Sequence, residues 1–149
     1  MRAKNSGHSV LEFAFFLPYL VFLFVGTFDW GFYSWALVAT ENAARTAALY
    51  TSSSSSNASN SAAACAIATA ELAEAPNIAA SPTVFNGTFP TDTCTSAPLT
   101  VTATAVSSGA DGSAASQVSV TYQTPGLIPI PGALTSRMSI TRVVEMRVR

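Results

Sequence analysis

The stretch VLEFAFFLPYLVFLFVGTF, residues 10–28, decides how this chain can fold. Phe13–Phe28 contains no charged residue, and apolar side chains occupy every face of a helix drawn through it. A helix needs about 20 apolar residues to cross the hydrocarbon core of a bilayer. We therefore predict a transmembrane helix over about residues 10–28. The alanine-rich sequence that follows predicts that this helix continues, so that the whole element covers residues 8–50.

The residues that flank the span predict its orientation. Arg2 and Lys4 precede it, and Asp29 follows it. Basic flanks favour the cytoplasmic side, so we expect a single-pass membrane protein with a cytoplasmic N-terminus and an exported C-terminal domain. The alternative is a cleaved secretory signal with a small-x-small site at Ser34-Trp35-Ala36. Its apolar run would be unusually long and would contain Glu12 and Asp29, which favours the membrane anchor.

The composition argues against several classes of protein. The chain has 149 residues and a net charge of −1, and 10% of its residues are charged, against about 25% in soluble domains. This composition is not typical of a cytosolic enzyme, and it gives no electrostatic footprint for nucleic acid. Two cysteines and one histidine are too few for a zinc site of four such ligands. The single histidine, His8, lies far in sequence from the exported acids and thiols, so we expect no catalytic triad, no enzyme activity, no metal and no cofactor.

A glutamate stands at the start of the apolar span. Glu12 stands five residues after Gly7 and immediately precedes the uncharged run. A carboxylate inside a bilayer is expensive, about 2.5–3.5 kcal/mol for Asp on insertion scales, so such a group generally has a partner or a function. The simpler interpretation is that Glu12 reaches back to water at the cytoplasmic interface.

The residues from Gly7 to Leu20, GHSVLEFAFFLPYL, resemble the prepilin-type signals of the type IV filament superfamily, and more narrowly the TadE-like proteins of the tight-adherence, or Flp, pilus. The resemblance implies a cytoplasmic leader at residues 1–7, cleavage between Gly7 and His8, and an assembly role for Glu12. Cleavage would create an ammonium group at His8, which the Glu12 carboxylate of a neighbouring subunit could neutralise.

Further segments are similar to the same family. They are Asp29 with Gly31, residues 41–48, residues 118–122 and residues 137–149. The resemblance implies a structural pilin or pseudopilin whose partners are other pilin subunits in a homo- or hetero-polymer, a prepilin peptidase, the inner-membrane assembly platform and the lipid bilayer. It also implies a location in the inner membrane, with the C-terminal domain in the periplasm, and the assembled subunit would be extracellular. The alternative is a permanently membrane-anchored assembly factor or adhesive module that does not enter a filament.

The exported part is polar and poor in charge. Residues 51–61 form a serine-rich stretch that we predict to be a linker too polar to bury. We assign residues 62–149 to an exported α+β domain. Within this region, an alanine-rich helix is predicted over Ser61–Ala75, with Asn60 as its cap and Pro76 at its end.

Three stretches alternate between apolar and polar residues and are predicted strands: residues 99–105, 118–123 and 138–148, the last interrupted by Arg142. A loop rich in proline and glycine, residues 125–132, separates the last two. Three half-buried strands are about the minimum for a sheet that is stable in water. The predicted fold class is α+β, with one long helix laid across a small antiparallel sheet. The resemblance implies the same pilin-like plan.

Cys65 and Cys94 are the two thiols of the chain, and both lie in the exported part. An oxidising compartment favours a disulfide between them. Closing this loop would stabilise the domain by about 3–4 kcal/mol in the chain-entropy model. Two unpaired thiols are the alternative, whereas the absence of a C-x-x-C spacing argues against a redox role.

The remaining charged residues could either form ordinary solvated surfaces or belong to functional sites. Glu71 and Glu74 could form a carboxylate pair, but a solvated helix face is favoured. The basic C-terminal residues could contact an anionic partner or lipid headgroups, although a solvated sheet edge is favoured; they are Arg137, Arg142, Arg147 and Arg149. Asp111-Gly112 predicts a turn.

Overall fold

A computed structural model describes residues 6–78, 94–126 and 137–149 of the chain. The helices are α1, Ser6–Thr51, and α2, Ser61–Glu71. The strands are β1, Thr95–Ser96; β2, Leu99–Val106; β3, Ala115–Gln123; and β4, Ser139–Arg147. The chain divides into two compact units, Met1–Ser34 and Trp35–Arg149. The α+β fold class is therefore confirmed, while leader residues 1–5 and most of the predicted 125–132 loop lie outside the described residues.

The four strands form one antiparallel sheet in the order β1-β2-β3-β4. Val101 of β2 is opposite Val120 of β3, and Val120 is in turn opposite Arg142 of β4. Alternate residues of β2 and β3 are buried, namely Leu99, Val101, Ala103, Val118, Val120 and Tyr122. This confirms the alternation on which both strands were predicted. Strand β1 was not predicted, because two residues are too few to show a period.

The second half of α1 belongs to the same compact unit as the sheet and buries one face of small residues. The fully buried members are Ala36, Thr40, Ala43, Ala44, Ala47, Ala48 and Thr51. Their spacing of three and four residues places them on one side of the helix. This stripe is therefore covered within the chain itself and forms core.

Helix α2 has the predicted cap but ends earlier than predicted. The side chain of Asn60 accepts a hydrogen bond from the Ala63 amide at 3.0 Å, as an N-cap residue does. The helix ends at Glu71 instead of Ala75, and the chain continues in turns. The turns bring Asn77 to β3, where its side chain bonds Tyr122 and the Gln123 carbonyl oxygen.

The serine-rich stretch at residues 51–61 is more buried than predicted. Thr51, Ser52 and Ala58 are all at least nine-tenths buried. The Ser116 hydroxyl oxygen of β3 lies 2.8 Å from Thr51 Oγ1 and 2.9 Å from the Ala58 carbonyl oxygen. The prediction that this stretch is too polar to bury is wrong for these residues, because the hydrogen bonds to Ser116 satisfy polar groups that burial would otherwise leave unpaired.

Two local predictions agree with the structure. Cys65 of α2 and Cys94, next to β1, form a disulfide with a Cα–Cα distance of 5.5 Å. Asp111 and Gly112 lie in the turn between β2 and β3, where the Asp111 side chain accepts a hydrogen bond from the Ser113 amide at 3.0 Å. Gly112 has a φ of +76°, a conformation that costs glycine little.

Candidate functional site

The helical part of the first unit exposes large apolar side chains along its length. Phe15, Phe24 and Trp30 are 78%, 73% and 74% exposed. Among the described residues, α1 is the one helix that is long and apolar enough to cross a membrane, judged by length and composition. At 1.5 Å per residue, residues 10–28 span about 28 Å, close to the thickness of a hydrocarbon core of about 30 Å.

The hydroxyl groups of Ser and Thr in residues 10–34 are bonded back to the helix. Thr27 Oγ1 donates to the Leu23 carbonyl oxygen at 2.8 Å, and Ser34 Oγ donates to the Trp30 carbonyl oxygen at 2.9 Å. Such bonds satisfy the hydroxyl groups without water, which an apolar environment requires. Pro18 also lies inside the helix. Neighbouring helices and local adjustments make proline tolerable in a membrane helix.

Two carboxylates bracket the uncharged run. Glu12 is exposed and Asp29 is half-buried. They stand 17 residues apart, which is about 26 Å along a helix axis. Each can therefore lie near one boundary of an apolar layer, with the uncharged run between them.

The predicted processing and assembly residues lie on one continuous helix. The backbones of Gly7 and His8 belong to the first turn of α1, and Glu12 follows one turn later. The structure therefore brings Gly7, His8 and Glu12 into one helical segment at the start of the apolar surface. It places Cys65 and Cys94 in the other unit, joined as a disulfide.

In the second unit, Glu41 forms ion pairs with two arginines, and its contact with Arg142 was not predicted from the sequence. Glu41 Oε1 lies 3.0 Å from Arg45 Nε, which is one helical turn away on α1. Arg142 Nε of β4 lies 3.4 Å from Glu41 Oε2. The only sequence signal for this second contact was that Arg142 interrupts the apolar side of β4. The structure shows that this position faces an acid of α1.

A buried tyrosine anchors the turn that follows α2. The Tyr122 hydroxyl donates a hydrogen bond to Asn77 Oδ1 at 2.7 Å, and Asn77 Nδ2 donates to the Gln123 carbonyl oxygen at 2.7 Å. Burial raises the pKa of the Tyr122 phenol above its usual value of 10.0, because the charged form loses hydration. These two hydrogen bonds hold the turn that follows α2 against β3.

The described ranges contain no group of three or more His, Cys, Asp and Glu residues placed to hold a metal ion. The described residues show two other features: an exposed apolar run in α1 between Glu12 and Asp29, and a small domain that contains the Cys65–Cys94 disulfide.

A family model described as TadE-like protein matches residues 7–49. No curated protein and no solved structure matches the chain. The family match begins at Gly7 and ends two residues before the end of α1, so the similarity of residues 118–122 and 137–149 to the family stays a prediction. Over residues 7–49, nearly the whole of α1, the chain is similar to TadE-like proteins, a family associated with the tight-adherence pilus.

Proposed function

We propose that this protein is a structural pilin or pseudopilin subunit of a Flp/Tad-type pilus. In this proposal residues 10–28 anchor the subunit in the inner membrane, with the N-terminus in the cytoplasm and the C-terminal domain in the periplasm. The observation that carries the proposal is the exposed apolar surface of α1, which coincides with the TadE-like match.

That surface requires a cover. Soluble monomers rarely expose a contiguous apolar patch of more than about 300–600 Å². The exposed apolar residues of α1 continue through several helical turns, from Val10 to Trp30. Lipid can cover them before assembly, and neighbouring copies of the same helix can cover them afterwards. A helix exposed on all sides suits both states, because it presents an apolar face in every direction.

Glu12 gives such a bundle a register. Apolar packing alone would allow one helix to slide along another, because lipid and side chains are equally apolar. A carboxylate that must find a cation selects one position. After cleavage at Gly7, the ammonium group of His8 on a neighbouring subunit would be that cation. A prepilin peptidase and the membrane assembly platform would be the partners of these two steps.

The first experiment identifies the mature N-terminus by mass spectrometry of protein purified from the membrane and from sheared filaments. His8 as the first residue, found in the filament fraction, is the expected result. Met1 as the first residue, with the protein confined to membranes, would instead support the permanently anchored assembly factor.

The second experiment tests the register. Glu12→Gln removes the charge with little change of shape, whereas Glu12→Asp keeps the charge. Removal of one partner of a buried ion pair costs about 3–5 kcal/mol, so Glu12→Gln should abolish filaments while the protein still reaches the membrane. Glu12→Asp should retain part of the yield. Equal filament yields from Glu12→Gln and the unmodified protein would contradict the mechanism.

A further inference from the structure

An open groove lies where the end of β4 meets the end of α1. Its volume is about 920 Å³, and its lining is Leu49, Ser52, Ser53, Met146, Arg147, Val148 and Arg149. Leu49 is 62% exposed, and Met146 and Val148 are half-buried, so the lining offers apolar surface to a partner. The Arg149 amide donates a hydrogen bond to the Ser52 carbonyl oxygen at 3.1 Å. This bond joins the segment after β4 to the segment after α1, which form the two sides of the groove.

The two arginines of this groove lack an acidic partner in the described part of the chain. Both Arg147 and Arg149 are exposed. By contrast, Arg45 and Arg142 share the carboxylate of Glu41. The groove thus combines apolar surface with two arginine side chains that form no ion pair with a described residue, which suits a partner that is apolar in part and negative in part.

The end of α2 carries the complementary charge. Glu71 and Glu74 are exposed, and neither forms an ion pair with another described residue. Glu71 is the last residue of α2, and the last turn contains no basic residue. A carboxylate at the C-terminus of a helix meets the negative end of the helix dipole, which is unfavourable. A cation supplied from outside would relieve this repulsion.

The acidic and basic surfaces are associated with different strands of the sheet. Helix α2 packs on β2, and the Ser61 hydroxyl at its start is bonded to the backbone of Ala103 in β2. The groove is built on β4, which is the far strand in the order β1-β2-β3-β4. One copy can therefore engage a second copy through its groove and still offer its own α2 end to a third.

We propose that this groove, which we call the Arg147–Arg149 groove, binds the Glu71–Glu74 end of α2 in a second copy of the chain. The contact is head-to-tail, because two different surfaces meet. Head-to-tail contacts that do not close into a ring produce open helical polymers. The inference rests on the proposed function: it assigns to the exported domain a contact that adds to the one made by the apolar helix.

The test uses charge reversal in the full-length chain. Two differently tagged copies are expressed together, and capture of one copy by the other is measured from membranes in mild detergent. Arg147→Glu with Arg149→Glu in both copies should lower co-capture by at least about tenfold, since like charges brought together at an interface are strongly unfavourable. Glu71→Arg with Glu74→Arg should do the same. All four reversals together should restore co-capture to near the original level.

Arg137→Glu is the matched control, because Arg137 is exposed and lies outside the groove. It should leave co-capture unchanged. Loss of co-capture on arginine reversal but not on glutamate reversal would overturn the proposal and indicate another anionic occupant, such as lipid headgroups. Unchanged co-capture in both, or failure of the fourfold variant to restore it, would also overturn the proposal. Filament yield, measured separately, reports on the proposed function.

Discussion

The hydroxyl group of Ser61, the first residue of α2, satisfies both backbone groups of Ala103 in β2. Ser61 Oγ accepts a hydrogen bond from the Ala103 amide at 3.0 Å and donates one to the Ala103 carbonyl oxygen at 3.3 Å. In the described part of the chain, β1 pairs with Leu99 and Thr100 of β2 and does not reach Ala103. Ser61 therefore completes the sheet edge where the short strand ends and fixes the start of α2 against it.

The first prediction concerns this contact. Ser61→Ala should destabilise the domain by about 1–3 kcal/mol, because it leaves a part-buried amide and carbonyl group without partners. The effect should be local to β2, so amide hydrogen exchange at Ala103 should become faster. Ser59→Ala is the control, because Ser59 is exposed and its side chain makes no comparable bond. Unchanged exchange at Ala103 in Ser61→Ala would show that the bond contributes nothing.

The second prediction concerns the disulfide between Cys65 and Cys94, which are separated by 29 positions. Replacing both residues by alanine should lower the free energy of unfolding by about 3–4 kcal/mol, because the unfolded chain regains loop entropy. Denaturant unfolding of the full-length protein in detergent, followed by circular dichroism, measures this loss. Adding a reductant should lower the stability of the unmodified protein and leave the double variant unaffected.

The third prediction concerns pH and Tyr122. Burial raises the pKa of this phenol in the folded state. Its contribution is therefore fully present below the unfolded-state pKa of about 10. It is lost as the pH rises through the higher folded-state value, because the unfolded state releases the proton first. Denaturant unfolding between pH 8 and alkaline pH should show this decline.

Tyr122→Phe separates the two effects of the phenol. It should cost about 0.5–1.5 kcal/mol at pH 8 through loss of the hydrogen bond to Asn77, and it should remove the part of the alkaline decline that comes from Tyr122. A variant that loses stability as steeply as the unmodified protein above pH 10 would assign the decline to other groups.

The fourth prediction concerns the pair between Glu41 and Arg142, whose side chains are 35% and 41% exposed. Partly exposed ion pairs contribute about 0.2–1 kcal/mol. A double-mutant cycle with Glu41→Gln and Arg142→Gln should give a coupling energy in that range, and the coupling should shrink at high salt because ions screen it. A parallel cycle with Arg45→Gln separates the pair within α1. A coupling energy of zero at low salt would show that the contact contributes nothing to the free energy of unfolding.

Several features could be predicted from local sequence because their causes are local. The uncharged run before Asp29 predicts a helix for apolar surroundings, and the alternation in β2 and β3 predicts two strands with one buried face. Asn60 could be identified as a cap because its side chain bonds an amide three residues away. The match to the TadE-like family covers this same locally determined helix.

Other features depend on residues that are distant in sequence. Ser116 meets Thr51 across 65 positions, and this contact buries a serine-rich stretch that its composition alone marks as exposed. In the sequence, Arg142 is a charged residue at a position of β4 where the alternation predicts an apolar one. The fold places Glu41 beside it. The turns that follow the end of α2 at Glu71 also involve a distant contact, because they carry Asn77 to its hydrogen bond with Tyr122.

The amino-acid order by itself determined the apolar helix and the alternating strands, since each depends on periodicity within a few turns. The processing and assembly roles of Gly7, His8 and Glu12 stay predictions. Only the tertiary structure decided which polar groups are buried, which face of α1 is core, and which arginines form no ion pair with a described acid. Those outcomes depend on strand register and helix placement, because a hydrogen bond or an ion pair requires its two groups to lie within about 3–4 Å of each other.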